Sequence, residues 1–256
     1  MKLAFRKTGK GKPLFILHGL FGSSDNWQTL GKRFAGYFTV YFIDQRNHGH
    51  STHSEVFNYS AMCEDLNELM DDEGIEKVLL LGHSMGGKTA LQYTVTYPQK
   101  VEKSVVVDIG TKKYPVTNQF VVDALDKFNP QNLSSRKEAE EILSKEIEDA
   151  ATRQFLLKNL YRDAHQKLQW RFDFASIKNN LKNVGDATPL PAQPVALPVL
   201  FLKGEKSDYI FPSDIKLIQT MFPKARLEVI SGAGHWVHAD RPEAFFEAVL
   251  KFLLEA

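Results

Sequence analysis

Short runs of apolar residues punctuate the chain, spaced widely enough for a helix to fit between them. Leu14-Phe15-Ile16-Leu17, Val40-Tyr41-Phe42-Ile43, Val78-Leu79-Leu80-Leu81, Val105-Val106-Val107 and Val199-Leu200-Phe201-Leu202 are unbroken. A run without polar alternation fits a strand covered on both faces. Leu227-Glu228-Val229-Ile230 is more mixed and fits a place nearer a sheet edge. The stretches between carry helix signals. Ser60 can cap a helix that runs through Leu69 and is closed by Gly74. Met85 to Tyr97 stops before Pro98, and Asp240-Arg241-Pro242-Glu243 opens a final helix through Phe245, Val249, Phe252 and Leu253. Such alternation predicts the α/β class, a mostly parallel central sheet with helices on both faces.

Between Gly110 and about Pro198 the rhythm stops and no strand stands out. Ser135-Arg136-Lys137-Glu138 has the form of a capping box, with Ala139, Ile142, Leu143 and Ile147 on one helical stripe behind it. Phe155-Leu156-Leu157 and Leu168-Gln169-Trp170-Arg171-Phe172 add apolar surface, and Pro189, Pro191, Pro194 and Pro198 give an extended return. The expected organisation is a core of residues 1–109 and 198–256, with residues 110–197 inserted as a helical cap.

The chain has 256 residues, 43% of them apolar and 25% charged, with a formal net charge of +1. That balance excludes nothing globular, but it gives no basic surface for nucleic acid or an anionic membrane. Cys63 is the single cysteine, so no internal disulfide can form, and its helical setting suits a small core residue. No N-terminal leader pattern and no apolar stretch of spanning length is present. A cytoplasmic protein acting on a small molecule is expected; oligomeric state is not readable.

Gly82-His83-Ser84-Met85-Gly86 sits between a strand and a helix, in the G-x-S-x-G form of a nucleophile elbow. The tight turn needs both glycines, and it pushes the serine hydroxyl clear of the sheet next to the helix N-terminus. The same residues, through Gly87-Lys88-Thr89, also fit the phosphate-binding pattern G-x-x-x-x-G-K-[ST] of a P-loop NTPase. Three other strand ends separate the two readings. His18-Gly19-Leu20-Phe21-Gly22 offers backbone N–H groups, Asp44 to Ser51 follows the second run, and Gly232-Ala233-Gly234-His235-Trp236 can deliver an imidazole. A hydrolase uses these segments along one sheet edge, and an NTPase does not need them.

With those motifs together (HGLFGS at 18–23, DQRNHGHS at 44–51, GHSMGGK at 82–88, GAGHWVHA at 232–239) the chain resembles the α/β-hydrolase superfamily, and within it the small bacterial YbfF-like esterases. The resemblance implies a serine hydrolase with a helical cap that cleaves carboxylic esters or acyl thioesters. It implies Ser84 as nucleophile, His235 as general base, and the backbone N–H groups of Met85 and of Leu20 or Phe21 as oxyanion hole. Two acids qualify by position. Asp108 follows the strand after the elbow and Asp208 follows the penultimate strand; the resemblance favours Asp108. Trp170, Phe172 and Trp236 are expected to border a pocket for short to medium acyl chains. Carbon–carbon bond hydrolysis, or ligand binding without catalysis, remains an alternative within the fold.

No metal or organic cofactor is expected. His48, His50 and His53 approach a binuclear zinc pattern, but Thr52 stands where its aspartate ligand belongs. His18 and His83 are expected to pack and hydrogen-bond beside the site, His238 is a distant second choice of base, and Asp44 and Arg46 are expected to brace a loop.

Overall fold

The computed structural model describes residues 1–115 and 118–255. The first elements are β1 (Phe5–Thr8), β2 (Pro13–Leu17), α1 (Gln28–Phe34), β3 (Thr39–Ile43), α2 (Tyr59–Asp72), β4 (Val78–His83), α3 (Met85–Thr96) and β5 (Val101–Val107). Then come α4 (Gln119–Asp126), α5 (Arg136–Leu143), α6 (Ala150–Leu157), the pair β6 (Leu160–Arg162) and β7 (Leu168–Trp170), α7 (Phe174–Asn179) and α8 (Leu181–Val184). The chain closes with β8 (Val199–Gly204), α9 (Ile215–Met221), β9 (Ala225–Ile230), α10 (Val237–Asp240) and α11 (Pro242–Leu254).

A seven-stranded sheet in the order β1-β3-β2-β4-β5-β8-β9 carries the fold, and every pairing in it is parallel except β1 with β3. The unbroken apolar runs serve two cores at once. Leu14, Ile16, Leu79, Leu81, Val105 and Val107 face a cluster shared with α1 and α11. Phe15, Leu17, Val78 and Leu80 face the other side, against Cys63, Leu66 and Met70 of α2 and Ala90 and Tyr93 of α3. Period-two side-chain direction explains how adjacent apolar residues are both buried. At the edge, β9 leaves Leu227 and Val229 exposed, which accounts for its mixed composition. The opposite edge, β1, was not foreseen; Phe5-Arg6-Lys7-Thr8 is largely exposed and charged, as an edge that resists unwanted pairing should be.

Several element ends differ from expectation. Asn58, not Ser60, caps α2 by accepting the N–H of Ala61, and Ser60 instead accepts a hydrogen bond from Gln92. Asp240 ends α10 and accepts the N–H of Gly234, so it belongs to the preceding loop rather than to the start of α11. Ser135 does cap α5, but the Glu138 carboxylate reaches the N–H and hydroxyl of Ser134, one residue earlier than a capping box requires.

Among the described residues, 110–197 add no strand to the large sheet. They are not purely helical, however: β6 and β7 form an antiparallel hairpin, with Leu160 opposite Trp170. Three-residue strands are too short to show a period, which is why the sequence conceals them. Val121, Leu125, Leu143, Leu156, Leu157 and Ile177 of this segment make a cluster with Leu20, Phe21 and Met85, so it packs directly over the C-terminal ends of β2 and β4.

Candidate active site

The link from β4 to α3 is a single residue. Ser84 has φ 53° and ψ −116°, a conformation costly for a side chain with Cβ, and its N–H is tied to the carbonyl of Val107 at 3.0 Å. No wider turn fits. A Cβ on Gly82 would lie 2.2 Å from the Gly86 carbonyl oxygen, and one on Gly86 would lie 2.3 Å from that of Leu17. The helix starts at once, so the N–H of Met85 points out of its first turn without a partner among the described residues. This geometry disposes of the phosphate-loop reading. Residues 85–87 are already helical and leave no loop to wrap phosphates. Lys88 is buried, its ammonium donating to the carbonyl of Lys112, and the Thr89 hydroxyl donates to the Gln45 side chain.

The segment after β2 supplies a second N–H. Phe21 adopts φ 57°, and its own N–H is spent on His48 Nε2 at 3.1 Å. Leu20 keeps an N–H with no acceptor among the described residues, so of the two candidates only Leu20 is free to donate. The histidines behind this turn are structural locks. Nε2 of His18 accepts the N–H of Gln45 at 3.0 Å, which leaves Nδ1 to donate to Gly19 O at 2.8 Å. His48 is fixed the same way, its Nδ1 donating to Arg46 O at 2.9 Å. Burial lowers the pKa of both, that of His48 to about 3, so each stays neutral and keeps its tautomer. With both His48 nitrogens engaged by backbone, the His48–His50–His53 metal pattern does not assemble. Asp44 and Arg46 brace the neighbouring loop. Asp44 accepts the N–H groups of Ser24 and His50, and Arg46 makes a two-pronged ion pair with buried Asp65.

The two acids part company. Asp108, at the end of β5, is buried at φ 51°. Its Oδ1 accepts the N–H of Gly204 at 3.0 Å, and its Oδ2 accepts both Nδ1–H of His235, at 2.8 Å, and the hydroxyl of Ser207. Asp208 is exposed and bonds to nothing among the described residues. A carboxylate can only accept, so His235 carries its proton on Nδ1 and has a lone pair on Nε2. The imidazole is held from other sides as well. Tyr209 stacks on it at 4.2 Å and 22°, and Nε2–H of His83 donates to the His235 carbonyl at 2.9 Å. Gly204 permits the approach, because a Cβ there would meet the Gly234 carbonyl at 2.1 Å. Ser207 and Tyr209 had not been assigned a part in the site. Burial and the charges of His235 and His238 hold His83 well below the usual histidine range. His238 packs edge-on behind His83 at 4.8 Å and stacks on Trp27 at 4.3 Å, with burial pushing its pKa down to about 3.

Ser84 and His235 border one hollow of about 220 Å³, together with Leu20, Trp236 and, from the inserted segment, Phe120, Phe155 and Leu156. Trp236 is thus where the sequence suggested, but Trp170 and Phe172 are not. They stack on each other at 5.0 Å and border a separate groove with Phe128 and His53. Phe172 reaches the site only through its edge contact with Phe21, at 5.1 Å. An aromatic run marks burial, not the side from which it is buried.

Residues 12–242 match the family model described as the alpha/beta hydrolase fold. The chain is 38% identical over 256 residues to the sn-1-specific diacylglycerol lipase ABHD11 of Xenopus laevis, covering 96% of this chain and 81% of that protein. It is 32% identical over 242 residues to esterase YbfF of Escherichia coli (strain K12), covering 94% and 92%. Among solved structures, a marine microorganism esterase superposes with a TM-score of 0.96 at 44% identity, covering 98% of this chain and 99% of that one. Among the described residues no helix is long and apolar enough to cross a membrane.

Proposed function

The chain belongs to the α/β-hydrolase fold family, and we propose that it hydrolyses carboxylic esters, or the related acyl thioesters, by two-step acyl transfer through Ser84. Ester chemistry is supported by relatives named as esterases and lipases over nearly the whole chain. The mechanism rests above all on one contact, Nδ1–H of His235 on buried Asp108 Oδ2 at 2.8 Å, which leaves Nε2 basic in the hollow that Ser84 shares. His235 takes the Ser84 proton as Oγ attacks the ester carbonyl, and Asp108 stabilises the resulting imidazolium. The unpaired N–H groups of Met85 and Leu20 hold the tetrahedral oxyanion; one such donor is worth about 2.7–4 kcal/mol. His235 then protonates the leaving group, and water repeats the cycle on the acyl-enzyme.

Residues 110–197 act as a cap in this reading, since Phe120, Phe155 and Leu156 wall the hollow over Ser84. The substrate is a small acyl ester, and the reaction needs no bound cofactor. The test is turnover. Ser84→Ala should lose p-nitrophenyl ester hydrolysis by several orders of magnitude while its circular dichroism stays that of the wild type. Activity near that of the wild type would refute the proposal.

A further inference from the structure

Ser84 faces a second, smaller hollow, of about 30 Å³, which His235 does not border. Its walls include Ile109, Leu181 and Val184, with Tyr59 and Tyr114, and beside them lies Lys88. Lys88 lies one turn into α3, its N–H donating to the Ser84 carbonyl at 3.0 Å. Lys88 is only 1% exposed. One of its three ammonium protons goes to the Lys112 carbonyl at 2.5 Å, and the ring of Tyr114 lies 5.0 Å away. No carboxylate among the described residues is within ion-pair distance. Asp214 is taken by Lys112 at 2.6 Å, and Asp186 lies 3.9 Å from Lys113. A buried ammonium without a counter-ion is costly, and lysine is almost never buried unless paired. The missing partner is an anion that enters the hollow.

Resting on the esterase reading above, the division of labour between the hollows follows. A leaving group takes its proton from His235, so it occupies the hollow that His235 borders, and the acyl chain takes the other. We infer that Lys88 closes the acyl hollow and selects esters whose short acyl group ends in a carboxylate, that is, monoesters or monothioesters of dicarboxylic acids with about three to four carbons. A hollow of about 30 Å³ suits a short chain better than a long one. Water adds across the ester bond, giving the dicarboxylate and the alcohol, and Lys88 neither gains nor loses a proton in the chemistry.

Burial lowers the Lys88 pKa to about 7, with Asp186 opposing and the Lys112 ammonium adding to the shift. The other ionisable groups nearby are the phenols of Tyr59, Tyr114 and Tyr209 and the paired Asp214. Burial raises the pKa of Tyr59 and Tyr114, so both stay neutral in the working range. The cation is therefore present below pH 7 and lost above it.

The experiment compares kcat/KM for ethyl hydrogen succinate and for ethyl butyrate, of equal acyl length, by acid release from pH 6 to pH 9. His235 serves both substrates, so its contribution cancels in the ratio. The succinate-to-butyrate ratio should fall about 10- to 100-fold as pH rises through 7 in the wild type, and should be low and flat in Lys88→Met. A wild-type ratio that ignores pH, or an unchanged ratio in the variant, overturns the inference. Succinate binding by calorimetry reports the same site without turnover. Binding at pH 6 that weakens by pH 9 and is lost in Lys88→Met supports it; absent or unchanged binding overturns it. If both esters are inert but succinate binds in this way, the esterase reading fails and the anion site stands. If Lys88→Met does not fold, the two wild-type pH series decide.

Discussion

Replacing Asp108 by asparagine changes one oxygen into an amide and nothing in the side chain's shape, yet the geometry forbids a benign outcome. Asp108 accepts from three donors, the N–H of Gly204 on one oxygen and His235 Nδ1–H and the Ser207 hydroxyl on the other. Asparagine has one acceptor oxygen. If that oxygen faces Gly204, the amide N–H₂ faces His235 and forces the proton from Nδ1 to Nε2, where it blocks removal of the Ser84 proton. If the oxygen faces His235, two donors collide at Gly204, at a cost of about 1–3 kcal/mol for a buried group left unsatisfied. The first arrangement is the cheaper, since Ser207 can rotate its hydroxyl to accept. The wrong tautomer costs about 10³–10⁴ in kcat, equivalent to about 4–5.5 kcal/mol of barrier. Steady-state hydrolysis of a small p-nitrophenyl ester, with circular dichroism as a check on folding, measures it. Exposed Asp208→Asn, assayed beside it, should stay within about threefold of the wild type. An Asp108→Asn enzyme within tenfold of the wild type, or an equal loss in Asp208→Asn, would refute this reasoning.

Other consequences follow from the same geometry. Phe155 walls the hollow that Ser84 shares with His235 and Trp170 does not, so Phe155→Ala should shift the preference among alcohol (leaving-group) chain lengths while Trp170→Ala leaves the profile unchanged; identical profiles for all three proteins would contradict the pocket assignment. His238 is buried with a pKa pushed down to about 3, so the unfolded chain binds its proton more readily as pH drops below about 6.5. The stability it contributes is therefore full above that value and is lost progressively toward pH 3. His238→Phe, which keeps the stack on Trp27, should flatten the fall in Tm between pH 6.5 and pH 4, and an unchanged slope would assign the acid sensitivity to other groups.

Much of the fold was legible because its central strands are buried on both faces and read as unbroken apolar runs. What escaped was short or exposed. The edge strand Phe5–Thr8 has little to bury, and the Leu160–Trp170 hairpin has too few residues for a period. Helix starts were misplaced where two capping residues compete. Asn58 and Ser60 are equally able by composition, and the chain path gives the cap to Asn58.

Within the site, Ser84 and His235 are visible because strand ends and glycines flank them. The choice between Asp108 and Asp208 is not local, since both follow strands. It turns on a left-handed backbone at Asp108 that drives its carboxylate inward, and on partners 96, 99 and 127 residues away. Ser207 and Tyr209 are hidden for the same reason. A Ser-x-Tyr step just past a strand end beside the histidine loop was the available signal. The free N–H of Leu20 rather than Phe21 depends on where His48 points, which no spacing reveals.

The central claim is that Ser84 is a nucleophile activated by His235. A fluorophosphonate probe tests it most directly, because it reacts only with a serine whose proton a base removes. Intact-mass and peptide mapping after labelling should show one adduct, on Ser84, in the wild type, and none in Ser84→Ala. His235→Ala should label far more slowly. An unlabelled wild-type protein, or an adduct on another residue, would contradict the account.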